Sequence, residues 1–263
     1  MKMNYGKSGR IENAFKNGKA FIAFLTGGDP SLEKSAEFIL EAEKAGADLV
    51  EIGIPFSDPI AEGEVIQAAN IRALSGGVTV HGIFELVSMV RQKSEIPLVF
   101  LTYLNPVYYY GYEKFFAKCK EMGVDGIIVP DLPFEEQMEL KTEAQNYGID
   151  LISLIAPTSS ERAEMIAKES SGFLYIVSSM GVTGVRSEIK TDVASIVSAA
   201  KAVSKTPCAV GFGINTPEQA AKFAKVSDGV IVGSAIVKII EKHGENAGKY
   251  VYEYVKEMKR AII

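Results

Sequence analysis

The sequence predicts one parallel α/β domain over residues 1–263, closed into a (β/α)8 TIM barrel with its site at the C-terminal ends of the strands. Three observations carry that prediction. Short segments rich in β-branched and aromatic residues alternate eight times with segments of helical period. Eight such units fill the 263 residues at the size expected of a barrel, with no linker-like break in composition. A faint internal echo leads each time into an even-numbered strand: Gly46-Ala47-Asp48-Leu49-Val50, Gly123-Val124-Asp125-Gly126-Ile127 and Val226-Ser227-Asp228-Gly229-Val230. A doubly wound open sheet is the rival. Its first turn would read GxGxxG, whereas here it reads Thr26-Gly27-Gly28-Asp29-Pro30.

The elements follow in order. After a polar leader, residues 19–25 form strand one, and Ser31 caps a helix over 32–45 that stops at Gly46. Strand two is 48–54. Helices at 65–74 and 80–93 flank the breaker Ser75-Gly76-Gly77, and strand three, 97–103, closes in Asn105-Pro106. A helix at 112–122 ends at Gly123, and strand four is 126–129, with Asp131 and Pro133 on its loop. Helix 135–147 leads to strand five, 150–155, and Thr158-Ser159-Ser160 caps a helix to about Ser170. Strand six is 173–177, followed by a glycine-containing loop over 178–190 and a helix at 192–203. Strand seven, 207–210, runs into Gly211-Phe212-Gly213, and helix 217–225 precedes strand eight, 229–232. Helices at 234–242 and 249–262 complete the chain.

Composition narrows the function classes. A formal charge of -5 argues against nucleic acid or an anionic membrane as partner. No apolar run reaches the roughly 18 residues of a membrane span, and residues 1–19 lack the apolar core of a signal peptide. Cys119 and Cys208 stand far apart outside any CxxC pattern, so a cytoplasmic protein with reduced thiols is expected. With two histidines, His81 and His243, neither a His-rich metal site nor a His-based triad is expected, and no metal-ligand cluster stands out.

In a barrel the chemistry sits on the loops after the strands. Glu51 interrupts the apolar run of strand two, where a carboxylate is costly unless paired, protonated or used. One reading is a glutamate satisfied by a neighbouring Tyr, Ser or backbone group, with Tyr103 or Tyr175 in reach. The other is an acid/base whose pKa burial lifts toward neutrality, and its place on a barrel strand favours this one. Asp58 and Glu62 follow on an acidic loop that can fold back over Glu51. Both also read as solvated loop acids, and for Asp58 in Ser57-Asp58-Pro59 a turn role is the simpler account, as it is for Asn105 before Pro106. Gly211-Phe212-Gly213 follows strand seven, and Gly233-Ser234 follows strand eight at the start of a helix. Either alone reads as a tight turn; together, after those two strands, they outline a phosphate cradle to which Gly184 adds a third N–H. Phe24, Leu101, Ile128, Ile155, Phe212 and Ile231 fill the barrel, and those nearest its mouth wall an apolar pocket. No Schiff-base lysine stands at a strand end. The set suits proton-coupled cleavage or isomerisation of a phosphorylated substrate with a flat apolar part.

The run Val50-Glu51-Ile52-Gly53-Ile54-Pro55-Phe56-Ser57-Asp58-Pro59-Ile60-Ala61-Glu62-Gly63 resembles the signature of the tryptophan synthase α-subunit family, [LIVM]-E-[LIVM]-G-x-P-[FY]-S-D-P-x-A-D-G. FLTGGDP (24–30), LTYLNPVYYYG (101–111), VPDLPFEE (129–136), Tyr175 with GVTG (181–184), GFGI (211–214) and SDGVIVGSAIVKII (227–240) fall in family order, so the resemblance covers essentially the whole chain. It implies a barrel that cleaves indole-3-glycerol phosphate to indole and D-glyceraldehyde 3-phosphate, a retro-aldol reaction. By position Glu51 matches the acid/base and Glu62 the second carboxylate, which accepts the indole N–H. Gly184, Gly213, Gly233 and Ser234 match phosphate-binding positions. Phe24, Leu101, Tyr103, Ile128, Ile155 and Phe212 match the indole pocket, and Thr183 matches the loop hydroxyl that latches onto the second carboxylate, with Tyr175 in support.

The resemblance also implies a partner, a pyridoxal-phosphate β subunit in an α2β2 assembly that receives indole through a tunnel. Asp58, Asn105, Pro106 and Pro133 would lie on the docking surface, and the α chain itself would need no cofactor. The sequence departs from the family at Glu62, where Asp is usual, and at Glu64, where Pro is usual. The longer side chain, a freer loop and a like charge nearby imply unassisted activity lowered by ~10–1,000-fold. Two alternatives therefore stand beside an α-subunit lyase: a stand-alone lyase that releases indole, and a weakly catalytic barrel that binds and activates a β partner.

Overall fold

The structure is a computed structural model that describes residues 8–157, 159–178 and 192–263. Its strands are β1 (Ala20–Thr26), β2 (Leu49–Gly53), β3 (Leu98–Leu101), β4 (Gly126–Ile128), β5 (Asp150–Leu151), β6 (Ser153–Ile155), β7 (Leu174–Val177), β8 (Cys208–Gly211) and β9 (Gly229–Val232). The helices are α1 (Arg10–Ala14), α2 (Leu32–Lys44), α3 (Glu64–Ser75), α4 (Val80–Arg91), α5 (Leu104–Tyr110), α6 (Tyr112–Met122), α7 (Met138–Asn146), α8 (Ser160–Lys168), α9 (Val193–Val203), α10 (Pro217–Ala224), α11 (Ser234–His243) and α12 (Gly248–Arg260). All strand pairs are parallel, in the order β5-β4-β3-β2-β1-β9-β8-β7-β6. β5 and β6 are two halves of the run expected as strand five, parted at Ile152. One half pairs with β4 and the other with β7, so the sheet returns to its own start and closes.

The period of two sorts the side chains into two layers. Ile22, Leu49, Val99, Ile128, Ile152, Tyr175, Ala209 and Ile231 point into the barrel and form one apolar cluster. Their neighbours, among them Phe21, Val50, Leu98, Ile127, Leu151 and Val210, point outward and pack with the helices in a second, larger one. Short polar side chains start several of those helices by accepting a backbone N–H: Ser31 from Lys34, Thr79 from Gly82, Ser159 from Arg162, Asp192 from Ser195 and Thr216 from Gln219. No single described helix is long and apolar enough to cross a membrane.

The echoed aspartates have one job, at the N-terminal end of the barrel. Asp48 accepts the N–H of Phe21 at 2.7 Å, Asp125 that of Leu98 at 2.9 Å and Asp228 that of Cys208 at 2.9 Å. Each therefore completes the first rung of the neighbouring strand. Each also meets a cation: Lys259 at 2.7 Å, Arg91 at 2.9 Å and Lys201 at 2.6 Å, respectively.

Two local readings are corrected. The polar leader contains α1, whose Ile11, with Ala14 and Phe15, packs in the inner cluster and closes the barrel floor; Phe15 stacks obliquely on Phe173 at 5.8 Å. Asn105-Pro106 does not close strand three. It lies in the first turn of α5, where the missing proline N–H costs no helical hydrogen bond.

Candidate active site

The inward positions at the C-terminal end of the barrel make a cleft. Its wall is apolar: Phe24 of β1, Leu101 of β3, Leu154 of β6, Phe212, and Ile231 of β9. Its polar groups are Glu51, Glu62, Tyr103, Tyr175 and Ser234, with Gly213 and Gly233 on the rim. Phe24 is held between two glycines, since a Cβ on Gly53 would come 2.8 Å from its ring and one on Gly233 3.0 Å. Phe212 has φ 73°, a conformation costly for a bulky side chain. It is held by Ser178, whose hydroxyl donates to the Phe212 carbonyl, and by Tyr175, edge-on to its ring at 5.9 Å. Gly213 continues the left-handed turn with φ 78°.

Glu51 is 1% exposed, and neither carboxylate oxygen has a hydrogen-bond partner among the described residues. Burial alone raises its pKa to about 8. The expected tyrosine partners are absent. Tyr175 is near enough for the Glu51 charge, added to burial, to push its phenol well up, but it makes no hydrogen bond to Glu51. The Tyr103 hydroxyl accepts the Ala61 N–H at 3.1 Å and is bonded to Glu62 instead.

Glu62 is held from two elements. Asn70 of α3 donates to Oε2 at 2.6 Å, and the Tyr103 hydroxyl supplies a second hydrogen bond. Burial lifts the carboxyl to about 7, against the pull of those two bonds. Glu64 does not contribute as a like charge: it is exposed as the first residue of α3, where an acid suits the helix N-terminus and where proline is also favoured. Asn70 was missed in the sequence, although a signal was there. It falls on the face of α3 that carries Ile66, Ala69 and Ala73, so a buried amide was due a partner.

At the other end of the cleft α11 begins at Ser234, after Gly233, with no side chain among the described residues capping it. Its first N–H groups and the helix dipole face the rim beside Gly213, the arrangement that holds a phosphate.

Phe24, Leu101, Tyr103, Phe212, Tyr175, Glu51, Glu62, Gly213, Gly233 and Ser234 are thus brought together in one cleft. Two pocket assignments fail. Ile128 points inward but lies in the packed layer below the cleft, and Pro130 takes the wall two residues on. Ile155 faces the helices, because inward positions on this strand are Ile152 and Leu154. Asp58, Asn105 and Pro133 are exposed and Pro106 half-buried, all outside the cleft. Gly184 and Thr183 lie outside the described residues.

The family profile described as Tryptophan synthase alpha chain matches residues 12–263. A tryptophan synthase alpha chain of Lactiplantibacillus plantarum is 49% identical over 253 residues, 96% of each chain. The crystal structure of the tryptophan synthase alpha chain of Legionella pneumophila superposes with a TM-score of 0.86 at 36% identity, covering 96% of this chain and 97% of that one. A chain from a structural study of mutual activation of the tryptophan synthase α2β2 complex of Pyrococcus furiosus gives a TM-score of 0.84 at 37% identity, covering 92% of this chain and 99% of that one.

Proposed function

The chain belongs to the tryptophan synthase alpha chain family, and from that premise we propose that Glu51 and Glu62 carry its carbon–carbon lyase reaction, the cleavage of indole-3-glycerol phosphate. The observation that carries this reading is Glu51, a carboxyl buried in an apolar cleft without any hydrogen-bond partner among the described residues. A pKa of about 8 keeps it protonated near neutrality. It can therefore give its proton to indole C3, drawing the C2=C3 pair and leaving the charge on the ring nitrogen. The carboxylate so formed takes the proton of the adjacent glycerol hydroxyl. The O–H pair becomes the aldehyde C=O, the bond to C3 breaks, and its pair restores the indole. Glu51 ends as it began, so the cycle needs no covalent intermediate.

Glu62, aimed by Asn70 and Tyr103, accepts the indole N–H and stabilises the positive charge that develops there. Phe24, Leu101, Leu154 and Phe212 sandwich the ring, and Gly213, Gly233 and Ser234 hold the phosphate at the α11 N-terminus. Gly184 and Thr183 would complete the cradle and the closed loop. With its pKa near 7 Glu62 is only partly ionised at neutrality, so low turnover by the isolated chain is expected.

Exposed Ile60, Tyr108, Tyr109 and Met138 stand on the loops and helices after β2, β3 and β4, beside Asp58, Asn105, Pro106 and Pro133. That apolar face suits a β subunit, which would hold the pyridoxal phosphate; this chain would act without a cofactor, in the cytoplasm. The test is indole release from indole-3-glycerol phosphate with and without a cognate β subunit. Turnover that rises with β and vanishes in Glu51→Gln supports the reading. No turnover in either case, with β still activated, would leave a binding partner in place of a lyase.

A further inference from the structure

Resting on that assignment of the cleft, we propose that Arg72 is a positioning residue that ties the carboxylate end of the cleft to its phosphate end. Its guanidinium spans three elements. Nε and Nη2 form a fork on Asp29, at 2.9 and 2.8 Å, and Nη1 donates to Glu241 at 3.1 Å. Asp29 lies in the turn after β1, the strand that supplies Phe24, and its carboxylate is 2% exposed. Glu241 lies seven residues past Ser234, two turns along α11 and close to the same helix face. Arg72 itself follows Asn70 by two residues on α3.

The cleft side of this junction is apolar. Phe24, Ile66, Ala69 and Val237 form one small cluster, so β1, α3 and α11 share a core directly behind the ring-binding wall. Such a contact resists separation but not sliding, because apolar packing has no direction. The Arg72 fork supplies that direction: a planar guanidinium on a buried carboxylate fixes distance and angle together. With α3 registered against α11, Asn70 meets Glu62 at 2.6 Å while the α11 N-terminus meets the rim. A shift of α3 by an ångström would lengthen the Asn70 bond and leave Glu62 with the Tyr103 hydroxyl as its remaining donor among the described residues. Glu62 would then hold its proton to higher pH. Glu51, Tyr103 and Tyr175 also line the cleft, and the Arg72 charge is not among the groups that shift any of them, although Tyr103 feels the charge of Glu62.

The test compares Arg72→Lys and Glu241→Gln with wild type. Arg72→Lys keeps the charge and loses the fork; Glu241→Gln weakens only the exposed leg to α11 by taking away its charge. Measured are the circular dichroism spectrum, kcat and KM for indole-3-glycerol phosphate across pH, and competition by inorganic phosphate. Arg72→Lys is expected to fold, to lose ~10-fold in kcat and to move the acid limb of the profile to higher pH. Glu241→Gln is expected to weaken phosphate competition by ~3-fold with a smaller change in kcat. A lower melting temperature in both variants with wild-type kcat, KM and acid limb would overturn the proposal and leave Arg72 a purely structural tie. An acid limb that survives Glu62→Gln would instead overturn the assignment of Glu62 on which it rests.

Discussion

The two ends of the barrel treat acidic side chains in opposite ways. At the floor, Asp48, Asp125 and Asp228 each accept a strand N–H and face a cation; Asp125 also takes Ser8 at 2.5 Å and Arg10 at 3.1 Å. At the mouth, Glu62 has two neutral partners, and Glu51 has none among the described residues. The floor carboxylates are compensated, and their work is to set strand register. The mouth carboxylates are not, and the cost of their burial appears as raised pKa values. Compensation, more than burial or residue type, separates a structural acid from a working one.

The sharpest way to break this comparison is to neutralise one acid from each end. Glu51→Gln is expected to lower kcat by ~100–10,000-fold and to leave the melting temperature at neutral pH unchanged or higher. Asp125→Ala should do the reverse. It strands Arg91, 11% exposed on its side chain, without its buried partner. A loss of about 3–5 kcal/mol in urea unfolding is expected, with near-normal kcat in the protein that remains folded. Equal loss of activity from both variants would end the distinction.

Much of this was legible in the sequence, and the failures are specific. Glu51 showed itself as a charge inside an apolar strand, and the echoed aspartates showed themselves as a repeat, though not what they bond. Ile155 was misplaced because the period of two gives the two faces of residues 150–155 but not which of them is inside. α5 was missed because Asn-Pro reads as a stop, although proline in a first helical turn starts one as readily. Arg72 and Asp29 are 43 residues apart, and no local pattern announces a pair at that separation.

A gentler test acts on the mouth alone. The pH profile of kcat/KM should be bell-shaped and narrow, with an acid limb near 7 from Glu62, which must be ionised, and a basic limb near 8 from Glu51, which must be protonated. Glu51→Gln should leave too little activity to show a basic limb, and Glu62→Gln should remove the acid one. A flat profile from pH 6 to 9 would place the proton transfers elsewhere.

A last effect is on stability, and its sign is fixed by the same values. Glu51 titrates near 4.5 in an unfolded chain and near 8 in the fold. Below 4.5 both states hold the proton, and Glu51 does not disfavour folding through its charge. Between 4.5 and 8 the unfolded chain releases a proton that the folded chain retains, so stability falls as pH rises through that window. Glu62 adds a loss of the same sign ending near 7. Glu51→Gln removes only the first contribution. Its melting temperature should therefore gain steadily on that of wild type from pH 4.5 to 8 and run parallel to it outside that range. Parallel curves throughout would mean that Glu51 is solvated or paired in solution, and the contrast between mouth and floor would lose its physical basis.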